Sequence, residues 1–218
     1  LFFDYIKLAK KLQPKVIIAE NVKGLIQGNA KVYVHKIKAA LEDAGYKVQL
    51  FLLNAASMGV PQKRERVFFI CQRNDLNLPK LELRFNENAI KFKEIDDGEK
   101  PARKEMSISN KLYSKKKTKT GIWQTEKKSI GGKVGAVGFG STAILNKTFN
   151  TLTSSGSYGY LDDKHHLTND ELIKIGSYPL DYNFRKIAPK YLIGMSVPPI
   201  MTAQIAAEIY NQWFKHKK

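Results

Sequence analysis

Cysteine is almost absent from this sequence: Cys71 stands alone among 218 residues. A single thiol excludes an internal disulfide framework. Acidic residues are scarce as well, 20 against 37 lysines and arginines, for a formal net charge of +17. No apolar run approaches the roughly 18 residues of a membrane span. The opening LFFDYIKLAKKLQPK lacks the apolar core of a signal peptide. There is no internal repeat, and no low-complexity run beyond Lys115-Lys116-Lys117. What is present is apolar enough, at 43%, to build a sizeable core. These features predict a globular cytoplasmic protein with a polyanionic partner and no membrane. Leu1 in place of a methionine is expected of a chain that begins partway into a longer gene product.

The positive charge is spread unevenly. Residues 1–73 carry a net +8, residues 74–150 a net +7 and residues 151–218 a net +2. The densest basic stretch, Arg103 to Lys128, holds nine basic residues against Glu105 and Glu126. A solvated surface accounts for such a run in an average protein. Here the excess is global, so nucleic-acid contact is the preferred reading.

The first seventy residues read as α/β. Phe3, Ile6, Leu8 and Leu12 mark an amphipathic helix that Pro14 ends. Val16 to Ala19 is an apolar run fit for a buried strand, with Glu20 and Asn21 at its C-terminal end. Val32, Ile37, Ala40, Leu41 and Ala44 give a second helical face, with Gly45 as its cap. Strands are predicted over 46–53 and 67–71. The first strand, helix and second strand suit a right-handed crossover in a parallel sheet. The interval from Leu53 to Val67 is too short for a helix, so the last two strands are predicted to pair antiparallel at a sheet edge. From 74 to about 150 the pattern predicts a smaller domain of short strands and loops, with flexible loops between the glycines at 131 and 140. Those glycines match neither a dinucleotide fingerprint nor a phosphate-binding loop. A helix capped by Thr168 or Asn169 begins after Leu167, a turn follows around Pro179, and a last helix runs from Met201 to Phe214 with Ile205 and Ile209 inward.

Several residues could carry chemistry. Glu20 sits where open α/β sheets bind ligands, and local pairing competes evenly with that role. Asn21 could order the following turn by bonding backbone groups. In an extended stretch, Gln62, Arg64 and Arg66 share one face and offer forked donors to a phosphate or base edge; charge decorating the entrance to an edge strand is the competing account. Cys71 reads as a buried hydrophobe rather than a nucleophile. His165 and His166 near Asp162 and Asp163 lack a third ligand at a usual spacing, so no metal site is predicted.

Glu20-Asn21-Val22 after an apolar strand, then Gly59-Val60-Pro61-Gln62-Lys63-Arg64-Glu65-Arg66 leading into Val67 to Ile70, closely resemble bacterial DNA (cytosine-5)-methyltransferases. So do Leu167-Thr168, Gly176-Ser177-Tyr178-Pro179 and Gly194-Met195-Ser196-Val197, in the same order. The resemblance implies the C-terminal part of a Rossmann-like catalytic sheet over 1–73 and a small, mostly β target-recognition domain over 74–165. Residues 166–218 would form a hinge and a helix returning to the catalytic domain. It implies base flipping of a cytosine from double-stranded DNA, cysteine attack on C6 and methyl transfer from S-adenosylmethionine to C5, in a restriction-modification setting at the bacterial nucleoid. Glu20 would bond N3 and the exocyclic amine of the cytosine, and Arg66 its O2. Gln62 and Arg64 would complete that motif, and Asn21 would order the loop carrying the glutamate. Thr151 resembles a threonine near the target phosphate. Ser196 and Val197 would flank the cofactor. DNA contacts are assigned to Lys115, Lys116 and Lys117 and to Phe139, Ser141 and Thr142.

The sequence departs from the family in two ways. The Pro-Cys nucleophile and the glycine-rich cofactor loop do not occur in it, and Met195 replaces the family's usual asparagine. The chain alone is therefore expected to be inactive. An N-terminal half, in the same protein or in a separate subunit, would carry the cysteine. A decayed gene product and a non-enzymatic basic DNA-binding module stay open as alternatives.

Overall fold

In this computed structural model the described residues are 1–99, 113–117, 122–127, 136–160 and 167–215. The chain divides into two compact units. One comprises 1–54, 65–84 and 204–218, and the other 55–64 and 85–203.

The first unit is a three-stranded sheet covered by helices. Helix α1 (Phe2–Leu12) ends where Gln13 turns left-handed, at φ 48°, immediately before Pro14. Strand β1 (Val16–Val22), helix α2 (Lys31–Asp43), β2 (Tyr46–Asn54) and β3 (Glu65–Arg73) follow. The sheet order is β1-β3-β2, with β3 antiparallel to both neighbours. The predicted antiparallel pairing of the last two strands therefore holds. The crossover from β1 to β2 does not join adjacent strands, because β3 returns between them.

One face of this sheet presents Ile17, Ala19, Val67, Phe69, Cys71 and Tyr46 to Ile6 and Ala9 of α1 and Ile37 and Leu41 of α2. The inward stripe of α1 is Phe2, Ile6 and Ala9. Phe3, Leu8 and Leu12, expected to face inward, are exposed. The unit reaches past residue 73 because two sheet amides hold the next segment. Gln49 exchanges backbone bonds with Leu81, both at 2.9 Å. Gln72 does the same with Leu78, at 3.1 and 2.7 Å. Each amide satisfies one buried donor and one acceptor that no ladder serves.

The second unit contains a four-stranded sheet ordered β4-β5-β6-β7, namely Tyr113–Lys117, Ile122–Lys127, Ala136–Ala143 and Ser157–Tyr160. The β-rich character predicted for this region is present. Gly138 and Gly140, however, lie within β6 rather than in a flexible loop. Helix α3 (Asn169–Ile175) starts at Thr168, whose hydroxyl accepts from the Glu171 N–H while Glu171 bonds the Thr168 N–H in return. Helix α4 (Pro189–Met195), which the sequence reading missed, precedes α5 (Pro199–Ile209). The core of this unit is built from Phe92, Phe149, Leu152, Leu167, Leu172, Ile175 and Ile193.

These units redraw the predicted domains. The boundary expected at 73 falls after Arg84, 55–64 joins the second unit, and only 204–218 of the C-terminal segment belongs to the first. The stretch Pro189–Phe214 has the length and mean hydropathy, 1.3, of a membrane span, which corrects the expectation that no run comes near one. It is two helices rather than one, since Ser196 is extended. Met201, Ile205, Ile209 and Trp213 from it are buried, while Tyr191, Met195, Ile200 and Tyr210 are exposed.

Candidate active site

Glu20 lies inside β1 rather than beyond it, opposite Phe68, while Val22 lies opposite Arg66. Glu20 and Val22 share a face, as do Arg66 and Phe68, so Glu20 and Arg66 are diagonal neighbours. Their side chains meet, with Arg66 Nε 2.8 Å from Glu20 Oε1. The Arg66 side chain is 13% exposed and that of Glu20 32%, so the pair is sheltered yet reachable. Burial pulls the Arg66 guanidinium below its ordinary value, and the Glu20 charge opposes that pull. Arg66 stays cationic, because guanidinium does not deprotonate in proteins. Its Nη1 donates to the Glu65 carbonyl at 2.8 Å.

Two further contacts order this end of β1. Asn21 Oδ1 accepts from the Val22 N–H at 2.9 Å, the backbone bond anticipated for it. Lys23 Nζ pairs with Glu65 Oε2 at 2.8 Å, tying the turn Lys23–Ile26 to the start of β3. The sequence reading missed this second pair. Its signal was a lysine immediately after Glu-Asn-Val and an acid between the two arginines.

Gln62 and Arg64 have a different setting. They belong to the second unit, and the boundary falls between Arg64 and Glu65. Both are buried, which corrects the expectation that they offer donors outward beside Arg66. Gln62 Nε2 donates to the Ile175 carbonyl at 3.2 Å, and its Oε1 accepts from the Leu152 N–H at 3.0 Å. Arg64 donates to the carbonyls of Leu152 at 2.7 Å, Gly194 at 2.9 Å and Ser196 at 2.7 Å. The guanidinium thus clamps segment 151–153 and the end of α4 together, through bonds strengthened by its charge. Thr151 Oγ1 donates to the Lys63 carbonyl at 2.5 Å.

Gly194 completes the clamp. A β-carbon there would fall within the backbone of Thr153 and Ser154. Gly194→Ala is expected to cost about 3 kcal/mol, the upper range for overpacking against atoms that cannot move aside. Thermal denaturation checks this, and an unchanged melting temperature would contradict the close approach.

Of the two residues expected beside the cofactor, Ser196 is held at the end of α4. The Ser196 carbonyl bonds Arg64, and its hydroxyl bonds the Ile193 carbonyl at 3.1 Å. Met195 is 65% exposed and offers no paired donor and acceptor. Cys71 is fully buried, and burial pushes its thiol up to about 12, so it is no nucleophile at neutral pH. Asp96, Asp97 and Glu171 bring carboxylate oxygens within 4.8 Å of one another; Thr168 bonds Asp97 and Glu171 at the start of α3. Lys115, Lys116 and Lys117 lie on β4, and Phe139, Ser141 and Thr142 on β6. His165 and His166 lie outside the described residues.

The type II methyltransferase M.FnuDI of Fusobacterium nucleatum is 46% identical over 82 residues, which are 38% of this chain and 24% of that protein. M.HhaI of Haemophilus parahaemolyticus is 38% identical over 78 residues, 36% of this chain and 24% of that protein. These matches span about a quarter of the curated relatives' length. A crystal structure of a Spodoptera frugiperda DNMT2 mutant superposes with a TM-score of 0.60 at 14% identity, over 96% of this chain and 71% of that one. That likeness bears out the Rossmann-like methyltransferase fold class. The family described as C-5 cytosine-specific DNA methylase matches residues 1–211, and the chain belongs to that family.

Proposed function

We propose that this chain forms part of an enzyme that transfers a methyl group from S-adenosylmethionine to C5 of a cytosine flipped out of double-stranded DNA. The observation that carries this reading is the Glu20–Arg66 pair at the end of β1. A carboxyl held by a fixed guanidinium can face N3 and the amine of a cytosine, while the guanidinium bonds O2. As a nucleophile adds to the ring, electron density moves toward N3. A hydrogen-bond donor placed there is worth more in the transition state than in the bound state. Asn21 and the Lys23–Glu65 pair hold the end of β1, which carries Glu20, and the turn that follows it. Gln62, Arg64 and Thr151 act as positioning residues within the second unit.

S-adenosylmethionine supplies the methyl group, and the polypeptide that completes the enzyme brings its cradle and the nucleophilic cysteine. The activity belongs at the nucleoid of a bacterial cytoplasm. The test is tritiated methyl transfer to unmethylated duplex. The 218-residue chain alone is expected to show none, and Cys71→Ala no change; adding the N-terminal polypeptide is expected to restore transfer. Transfer by the chain alone that Cys71→Ala abolishes would overturn the reading.

DNA recognition is assigned to the second unit, with Phe139, Ser141 and Thr142 reading base edges and Lys115, Lys116 and Lys117 meeting phosphates. Replacing those three lysines with alanine is expected to weaken all duplexes about equally. The slope of log affinity against log salt should fall by about one per lost phosphate contact. Unchanged affinity would place that run on a face away from DNA.

A further inference from the structure

Between α3 and α4 of the second unit, residues 179–188 run along the surface, and only Phe184 among them is buried. Leu180, Tyr182 and Ile187 are exposed apolar residues of this loop. Arg185 and Lys186 are exposed as well, and among the described residues their side chains make no ion pair or hydrogen bond. Residues 178–191 hold three basic side chains, Arg185, Lys186 and Lys190, against the single acid Asp181.

This surface is held in place. Tyr182 packs on Tyr178 and Phe184 with ring centroids 4.9 and 4.8 Å away, steeply inclined to both, and Tyr178 meets Phe184 at 5.6 Å. Phe184 belongs to the core of the unit and Tyr178 packs against that core. Tyr182 is therefore the outer ring of an anchored trio, and it stays 46% exposed. The backbone is tied too. The Tyr182 N–H donates to the Pro179 carbonyl and the Ile187 N–H to the Phe184 carbonyl, both at 3.1 Å. The Arg185 N–H donates to Asn183 Oδ1 at 2.8 Å, and Arg185 is left-handed, at φ 54°, a costly conformation for a long side chain. A ring ordered in advance loses little entropy when a ligand arrives.

We propose that this loop seats single-stranded nucleic acid. An unpaired base stacks on Tyr182, Leu180 and Ile187 add apolar surface from the same loop, and Arg185 and Lys186 meet the flanking phosphates. An exposed ring followed by two unpartnered cations suits a ligand in which flat apolar faces alternate with anions. A duplex offers the anions but covers its base faces by stacking. The excess of 37 basic over 20 acidic residues favours a polyanion. Neither Glu20 nor Arg66 takes part, nor do the residues assigned on β4 and β6, so this binding needs no cytosine and no methyl donor.

The test is fluorescence anisotropy with labelled oligothymidine of about twelve nucleotides, a length within the usual single-strand site sizes, beside a duplex of equal length. Tyr182→Ala is expected to weaken oligothymidine binding about fivefold or more, the lower end of base–aromatic stacking, and to change duplex affinity by about twofold or less. Tyr182→Trp should keep the affinity. The slope of log affinity against log salt should stay the same in Tyr182→Ala and fall by about 0.7 in each of Arg185→Ala and Lys186→Ala. Those two side chains support no contact in the fold, so both variants should melt with the parent. They keep the test open should Tyr182→Ala unfold: unchanged slopes in both overturn the seat. It is overturned equally by a parent chain that does not bind oligothymidine, by a folded Tyr182→Ala that binds it as the parent does, and by equal losses on single strand and duplex, which would make the loop a plain phosphate contact. Polyglutamate that competes as well as unlabelled oligothymidine would assign the loop to an acidic protein segment instead.

Discussion

Glu20→Gln in the reconstituted enzyme is expected to lower single-turnover methylation by roughly 10²–10⁴, the usual worth of a positioned acid–base group. Glutamine keeps the size of the side chain and one acceptor oxygen. It removes the carboxyl that can share a proton and the charge that pairs with Arg66 at 2.8 Å. Because the proposed bond to N3 would strengthen as charge builds on the ring, the loss is expected on the chemical step. Duplex affinity should change less than tenfold, an order-of-magnitude figure resting on the dominance of phosphate contacts in binding. Arg66→Ala should lower the rate too. It should also weaken capture of the flipped base, since the proposed contact to O2 would form before reaction. Measurement with enzyme in excess isolates the step from product release. Equal rates for the parent and Glu20→Gln would remove Glu20 from the site.

The second large effect concerns stability. Arg64→Ala leaves the carbonyls of Leu152, Gly194 and Ser196 without the guanidinium that serves them. Each orphaned acceptor costs about 1–3 kcal/mol. With part of that recovered by water, a total loss of about 3–5 kcal/mol is expected. That corresponds to a fall in melting temperature of roughly 6–20 °C for a protein of this size. Arg64→Lys keeps the charge but not the fork, so it should recover only part of the loss. Arg66→Ala is the contrasting variant: its partner Glu20 is partly solvated, so stability should shift by about 1 kcal/mol at most. The two arginines therefore separate by readout, one in melting and the other in methylation. An Arg64→Ala protein that melts within about 2 °C of the parent would remove the clamp.

The strands of the first unit and the first two helices were legible in the sequence because their signals are local. Apolar runs at 16–19 and 67–71, the helical spacing before Pro14 and the capping box at Thr168 each depend on neighbours within a few residues. The pairing of Glu20 with Arg66 was partly legible, since both sit in recognisable motifs, but their contact follows from the register of β1 against β3. No short-range pattern encodes register. The inward stripe of α1 was misplaced for a related reason. Two apolar stripes run along that helix, and only the position of the sheet selects Phe2, Ile6 and Ala9 for burial.

The sequence by itself determined the family motifs, the positive charge, the β-rich character of the region after residue 74 and the absence of a Pro-Cys pair. Tertiary structure alone decided that Gln62 and Arg64 turn inward in the second unit while Arg66, two residues later, belongs to the first unit and pairs there with Glu20. It also decided that Gly194 must lack a side chain and that Gln49 and Gln72 extend the first unit to Arg84. For Gln49, Gln62, Arg64 and Gln72 the physical reason is the same. A polar group's role depends on which backbone donors and acceptors the fold leaves unserved nearby, and those groups lie from 6 to 132 residues away along the chain.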